Sequence, residues 1–107
     1  MVNHNTGDDE TLMAIQQPAI DEDLLERLRM MPHYRVMLHN DEFHDMDHVV
    51  RALLTTVMTL GMDDALHIML EAHTNGLALV TTCPRETAEF YCEGLQRFGL
   101  ISTIELV

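Results

Sequence analysis

Residues 34–50 read YRVMLHNDEFHDMDHVV and contain a junction between a strand and a helix. The run from Tyr34 to His39 is typical of a short strand, and Asn40, Asp41 and Glu42 close it. Asp45 is suited to cap a helix that begins directly after it. The stretch therefore predicts a loop of polar side chains held between two regular elements.

Apolar residues recur at helical spacing on both sides of Gly61. The first stripe comprises Met46, Val49, Val50, Leu53, Leu54, Val57 and Met58, and the second comprises Met62, Ala65, Leu66 and Met69. His73 continues the second stripe, so we expect it to face the core. A histidine in such a position is ordinarily buried and hydrogen-bonded within the protein.

The whole pattern predicts an α+β domain. The expected elements are a strand at 34–39, helices at 46–59 and 62–74, a strand at 77–82, a helix at 85–98 and a strand at 101–106. We expect a three-stranded, mainly antiparallel sheet packed against three helices in the order β-α-α-β-α-β. Gly61 should stop the first helix, Asn75 and Gly76 should cap the second, and Pro84 should open the third.

The first 32 residues differ in character from the rest of the chain. Up to residue 23 they are acidic, lack a basic residue and show no sustained apolar period, which predicts disorder. Residues 24–31 have the pattern of one or two helical turns that Pro32 ends. We therefore expect a flexible acidic extension at 1–32 and a folded domain at 33–107.

Composition excludes several classes of function. Six Arg and no Lys against 18 Asp and Glu give a net charge of −12, which disfavours nucleic acids and anionic membranes as partners. No segment resembles a transmembrane helix or a secretory signal, so we expect a soluble intracellular protein. Cys83 and Cys92 lack metal-site spacing, and no cofactor-binding motif is present, so no cofactor is expected.

The polar loop has the chemistry of a cation site. Asn40 and Asp41 offer an amide oxygen and a carboxylate, which suit a primary ammonium, and a neutral His73 could accept its third hydrogen. The simpler alternative is an Asx-turn, in which Asn40 and Asp41 bond only their own backbone. A small acid–base enzyme that uses His73 and Asp41 is disfavoured, because no nucleophile or phosphate motif accompanies them.

A metal site is the main alternative function. His44 and His48 stand four residues apart, and the carboxylates nearby are those of Asp41, Glu42, Asp45 and Asp47. Imidazole and carboxylate together suit Zn or Ni. On this interpretation the chain is a small metal-binding protein.

Several motifs together resemble the ClpS adaptor family. They are YRVMLHNDEF at 34–43, MDHVV at 46–50, MLEAHTNG at 69–76, ETAE at 86–89 and GLISTIE at 99–105, and the similarity extends over about residues 33–106. The resemblance implies a non-enzymatic adaptor in the cytoplasm or an organelle stroma, and nothing in the sequence requires more than a monomer. Such adaptors bind the free N-terminal residue of degradation substrates and deliver them to the N-domain of a Clp-type AAA+ unfoldase (ClpA or ClpC type).

The same resemblance implies the site residues. Asn40, Asp41 and His73 would hold the substrate's α-amino group. The pocket for a bulky apolar side chain (Leu, Phe, Tyr or Trp) would comprise Met46, Val49, Met69, Ala72, Glu42, His44 and Ile101, with Met46 excluding β-branched residues. Glu86 and Tyr91 would contact the unfoldase.

This chain departs from the common family pattern at several of these positions. Glu42 stands where Asp is usual, His44 and Asp45 where Thr and Pro are common, Ala72 where Val is commoner, and Tyr91 where a basic residue is expected.

Overall fold

The computed structural model describes residues 21–107, which divide into two compact units after Met31. Most of the predicted disordered segment, residues 1–20, lies outside the described residues. The first unit contributes one described helix, α1 (Glu22–Met30). The second unit, Pro32–Val107, contains the sheet and the three other described helices.

Helix α1 begins earlier than predicted. The Asp21 carboxylate accepts hydrogen bonds from the backbone N–H groups of Asp23 (2.9 Å) and Leu24 (3.3 Å) and so caps the helix. Glu22 and Asp23 occupy its first turn, where acidic side chains are favoured by the helix dipole. Acidic residues that we assigned to the disordered segment therefore form a helix start.

The second unit confirms the predicted α+β arrangement. Its elements in order are β1 (His33–His39), α2 (Met46–Thr56), α3 (Met62–Asn75), β2 (Leu77–Pro84), α4 (Arg85–Arg97) and β3 (Ile101–Leu106). The strand order is β2-β1-β3, and both pairs are antiparallel. At the last residue of β1, His39 pairs with Leu77 on one side and Ile101 on the other, so the loop after β1 leaves from the middle of the sheet end.

The core lies between one face of the sheet and helices α2, α3 and α4. Strand residues alternate between faces, so Val36 and Leu38 on β1 and Ala78 and Val80 on β2 are buried. The helices supply the other core residues, which include Ala52, Leu53, Ala65, Ile68, Met69, Ala72, Ala88 and Leu95. Burial of each large apolar side chain stabilises the fold by about 1.5–3 kcal/mol.

The predicted end of α2 is wrong by three residues. The helix ends at Thr56, because the buried Val57 leaves the helical conformation (φ −108°, ψ 86°) and accepts a turn hydrogen bond from the Leu60 N–H. Met58, which we expected in the core stripe, is 85% exposed in this turn. Gly61 does not stop α2 but is the N-cap of α3, and its N–H donates to the Asp64 carboxylate.

Among residues 21–107, no helix combines the length and the apolar character needed to cross a membrane.

Candidate functional site

The loop between β1 and α2 is fixed at both ends by hydrogen bonds. At its start, the Asn40 N–H donates to the Gly76 carbonyl (3.0 Å), which ties the loop to the end of α3. Gly76 adopts φ 87°, a conformation that favours glycine, and ends α3 as predicted. At the other end, the Asp45 carboxylate caps α2 by accepting the His48 N–H (2.8 Å), which confirms the predicted cap. Residues 40–45 therefore present their side chains from a fixed backbone.

Asp41 forms the Asx-turn that we considered from the sequence. Its Oδ1 accepts the backbone N–H groups of Phe43 (2.8 Å) and His44 (2.9 Å). The His44 ring places Nδ1 3.2 Å from Oδ1 and 3.1 Å from Oδ2. The side chain of Asp41 is only 6% exposed, and among the described residues Oδ2 has no hydrogen-bond partner other than His44.

The charge of this carboxylate is stabilised by its hydrogen bonds. Burial alone would raise the pKa of Asp41, but the backbone N–H groups of His44 and Phe43 and the His44 ring outweigh burial and hold the pKa below the ordinary 3.8. Asp41 is thus ionised at neutral pH and can attract a cation.

Asn40 and His73 are the other two residues of the predicted ammonium site. Within residues 21–107, neither the Asn40 amide nor the His73 ring has a hydrogen-bond partner. His73 is exposed, so the prediction that it faces the core is wrong. The buried stripe of α3 runs through Ala65, Ile68, Met69 and Ala72, and His73 lies about 100° around the helix from Ala72.

These polar groups surround a cavity with about 350 Å³ of empty space, part of which is open to solvent. The cavity is lined by Leu38, His39, Asn40, Asp41, His44, Met46, Val49, Met69, Ala72, His73 and Leu100. An adjoining, more open groove is lined by Asn40, Asp41, Glu42, His44, Asp45, Met46 and His73. Because the two share most of their polar lining, they form one site with an apolar interior and a polar mouth.

The structure brings most of the predicted site residues together. Of the pocket residues expected from the resemblance, Met46, Val49, Met69, Ala72 and His44 line the cavity, whereas Glu42 lines only the groove. Ile101 lines neither and is half exposed.

Sequence reasoning missed Leu38, His39 and Leu100 as lining residues. Their sequence signal was adjacency, since Leu38 and His39 directly precede Asn40 and Leu100 directly precedes Ile101.

The two histidines considered as metal ligands are engaged with the protein itself. The rings of His44 and His48 stack with centroids 4.6 Å apart and planes at 17°. His48 Nε2 donates to the Phe98 carbonyl (2.7 Å), while His44 Nδ1 contacts Asp41. In the part of the chain from residue 21 onward, no group of three or more His, Cys, Asp or Glu is placed to hold a metal ion. The metal interpretation therefore has no geometric support.

Glu86 and Tyr91 both lie on α4 and line neither the cavity nor the groove. Glu86 is exposed in the first turn of the helix. Tyr91 is half-buried and packs against the core, so only part of its ring is accessible to a partner.

Comparison with known proteins identifies the class to which the chain is similar. A family model described as "ATP-dependent Clp protease adaptor protein ClpS" matches residues 29–103. The ClpS adapter of Synechococcus elongatus is 54% identical over 72% of this chain and 81% of its own length. The chloroplastic adapter CLPS1 of Chlamydomonas reinhardtii is 48% identical over 84% of this chain and 54% of its own length.

A solved structure shares the fold. Agrobacterium tumefaciens ClpS2, bound to L-phenylalaninamide, matches with a TM-score of 0.67 and 28% identity over 71% of this chain and 98% of that chain. These matches define a class, the adaptors of ATP-dependent Clp proteases. Within that class the chain belongs to the ClpS family, which confirms the resemblance seen in the sequence.

Proposed function

We propose that this adaptor binds the free N-terminal residue of substrate proteins when that residue is bulky and apolar. It then delivers the substrate to a Clp-type AAA+ unfoldase, and it acts by binding without catalysing a reaction. The observation that carries the proposal is the polar mouth of the cavity, which is lined by the ionised Asp41 together with Asn40 and His73. Among the described residues, the side chains of Asn40 and His73 have no hydrogen-bond partner.

These three side chains match the hydrogen-bonding capacity of an α-ammonium group. The ammonium has three N–H donors and one positive charge. The side-chain amide oxygen of Asn40, Asp41 Oδ2 and a neutral His73 ring nitrogen offer three acceptors on one rim. A hydrogen bond to a charged group contributes about 1.5–3 kcal/mol. N-acetylation removes the charge and two of the donors, so an acetylated N-terminus should not bind.

The cavity interior suits the first side chain of the substrate. Leu38, Met69, Ala72 and Leu100 are buried and present apolar surface below the polar rim. Burial of a Leu or Phe side chain is worth about 1.5–3 kcal/mol, so side chain and ammonium together are consistent with micromolar binding. The relative that was solved with L-phenylalaninamide supports this assignment, because that compound carries a free α-amino group next to a phenyl side chain.

Met46 stands where it can select among side chains. It lines both the cavity and the groove and is 44% exposed, so it lies where the two meet. A substrate side chain that branches at its β-carbon carries its bulk close to the backbone, where Met46 lies. We therefore propose that Met46 disfavours Ile and Val, and that its flexible thioether side chain adapts to Leu, Phe, Tyr and Trp.

The partner is the N-domain of a ClpA- or ClpC-type unfoldase, contacted through Glu86 and Tyr91. The relatives named as Clp protease adapters support this class of partner. Because those relatives include cyanobacterial and chloroplastic proteins, we propose the cytoplasm or an organelle stroma as the compartment.

The test is a binding titration with short fluorescent peptides that begin with Leu, Phe or Ile. Each peptide is prepared with a free amine and with an N-acetyl group, and affinity is read by fluorescence polarisation. We expect binding of the free-amine Leu and Phe peptides only. Equal affinity for free and acetylated peptides, or no binding to any of them, would rule out the proposed function.

A further inference from the structure

His44 is held tightly at the mouth of the cavity. Its Nδ1 lies 3.1 Å from Asp41 Oδ2, and its ring stacks on His48 at a centroid distance of 4.6 Å. Nε2 lies against the backbone of Gly99, where an added Cβ would come within 2.9 Å of it. Because Gly99 also adopts φ 83°, this close approach depends on glycine.

This arrangement makes His44 and a substrate ammonium share one carboxylate. Two backbone N–H groups already occupy Asp41 Oδ1, so Oδ2 is the oxygen best able to accept a further donor. A neutral His44 ring donates one hydrogen bond and leaves the negative charge on Asp41. A protonated ring forms an ion pair with Asp41 and cancels the charge that would attract an ammonium.

We propose that His44 is a further positioning residue of the site, which orients the Asp41 carboxylate when neutral and competes with the substrate's ammonium when protonated. The inference rests on the proposed function, because it concerns the same ammonium site. It follows that acid weakens binding through His44 as well as through His73, whose ring loses its acceptor when it is protonated.

The titratable groups around His44 come from several elements. Asp41 and His48 contact its ring directly, Glu42, Asp45 and His73 line the groove beside it, and His39 lines the cavity below. The turn before β3 offers His44 only backbone at Gly99. Asp41 is therefore the carboxylate in direct contact with the ring. Protonation of His44 thus acts first on the charge of Asp41.

The substitution His44→Asn separates the hydrogen bond that His44 donates to Asp41 from the change in charge of the ring. The Asn amide nitrogen can take the place of Nδ1 and donate to Asp41, but it does not gain a proton between pH 5 and 8. The matched control is His67→Asn, which changes a highly exposed histidine of α3 that pairs with Glu71 outside the site. Affinity for the free-amine Leu peptide is measured at pH 7.5 and pH 5.5 for the wild type and both variants.

We expect the loss of affinity between pH 7.5 and pH 5.5 to be equal in the wild type and in His67→Asn. In His44→Asn this loss should be smaller by a factor of about three or more. The peptide itself acts in the opposite direction, because its α-amino group has a pKa of about 7.7–8.0 and gains charge in acid. The same loss of affinity in His44→Asn as in the wild type would overturn the role of His44.

A second measurement needs no variant. The pH midpoint of the His44 ring is followed by NMR in the wild-type protein, alone and saturated with the free-amine peptide. By reciprocal linkage, the bound peptide should move this midpoint to lower pH, whereas the acetylated peptide should leave it in place. If the peptide binds and the midpoint does not move, the inference about His44 is wrong while the proposed function stands. Absence of peptide binding at pH 7.5 would remove the proposed function and this inference with it.

Discussion

At the level of single residues, the Asp41 carboxylate combines a structural role with a proposed role in recognition. Its Oδ1 closes the turn after β1, and the same residue lines both the cavity and the groove. The substitution Asp41→Asn keeps an oxygen that can accept the N–H groups of Phe43 and His44, yet it removes the charge. The two roles can therefore be tested separately.

We expect Asp41→Asn to lower affinity for the free-amine Leu peptide by about tenfold or more, since hydrogen bonds to charged groups contribute about 1.5–3 kcal/mol. Asp41→Ala should also destabilise the fold by about 1 kcal/mol, because it removes the hydrogen-bond acceptor of the turn. The control is Asp47→Asn, which changes an exposed carboxylate of α2 that pairs with Arg51. Wild-type affinity in Asp41→Asn would show that the charge of Asp41 does not hold the ligand.

The lowered pKa of Asp41 also predicts how stability depends on pH. A carboxyl group whose folded-state pKa lies below its unfolded value stabilises the fold above the unfolded value, and this contribution is lost as pH falls through the folded pKa. The wild type should therefore lose stability as the pH falls below the ordinary Asp value of 3.8. Urea unfolding at pH 7, 4 and 3 should show a shallower acid loss for Asp41→Asn. Parallel pH profiles would contradict this prediction.

Met46 provides a test of side-chain selection. Met46→Ala should open the cavity mouth and give measurable binding of Ile and Val peptides, because space becomes available for a branched β-carbon. The matched control is Met58→Ala, which removes a highly exposed Met that does not line the cavity. If Met46→Ala still rejects both peptides, another residue excludes β-branched side chains.

At the level of elements, the packing of α2 against α4 depends on Gly94. A Cβ at this position would lie 2.6 Å from Thr56 Cγ2, closer than carbon atoms can approach without movement. In Gly94→Ala this overpacking costs about 1–3 kcal/mol, whereas the better helix propensity of Ala returns about 1 kcal/mol.

We therefore expect Gly94→Ala to lower the free energy of unfolding. Adding Thr56→Ser, which removes the Cγ2 methyl group, should reduce that loss. Thermal or urea unfolding of the two single variants and the double variant measures the coupling. Additive effects of the two substitutions would show that the helices separate without strain at this point.

The sequence predicted the elements well where local chemistry defines them. Asp45 caps α2 and Gly76 ends α3 as expected, because a carboxylate before a helix and a glycine after one act locally. The end of α2 was missed because the burial of Val57, a tertiary effect, ends the helix before its apolar pattern stops. His73 was misplaced because the buried stripe of α3 passes through Ala72 and leaves His73 beside it.

At the level of the whole molecule, the site is assembled from residues far apart in the chain. Asn40 and Asp41 follow the central strand, and His73 lies in the last turn of α3. The hydrogen bond from the Asn40 N–H to the Gly76 carbonyl joins the end of α3 to the loop after the strand. Periodicity alone could not place these groups together, whereas the family resemblance could. Neither identified the wall next to β3, where Leu100, the residue before the strand, lines the cavity and Ile101, its first residue, does not.

An adaptor must hold its substrate and its unfoldase at the same time, which requires separate surfaces. Glu86 lies outside the cavity and the groove, so Glu86→Gln should leave peptide affinity unchanged. The proposed unfoldase contact predicts that the same substitution weakens binding to a ClpA- or ClpC-type N-domain. Asp63→Asn is the matched control, since Asp63 is also an exposed acid in the first turn of a helix. Calorimetry with the isolated N-domain measures the effect, and unchanged N-domain affinity in Glu86→Gln would place the contact elsewhere.

The most direct test of the ammonium site is a crystal structure of this chain with L-phenylalaninamide. We predict that the amino nitrogen lies about 3 Å from acceptor atoms of Asn40, Asp41 and His73, with the phenyl ring inside the cavity near Met69 and Leu100. An amino group directed to solvent, or a phenyl ring bound outside the cavity, would contradict the proposed recognition of a free N-terminus.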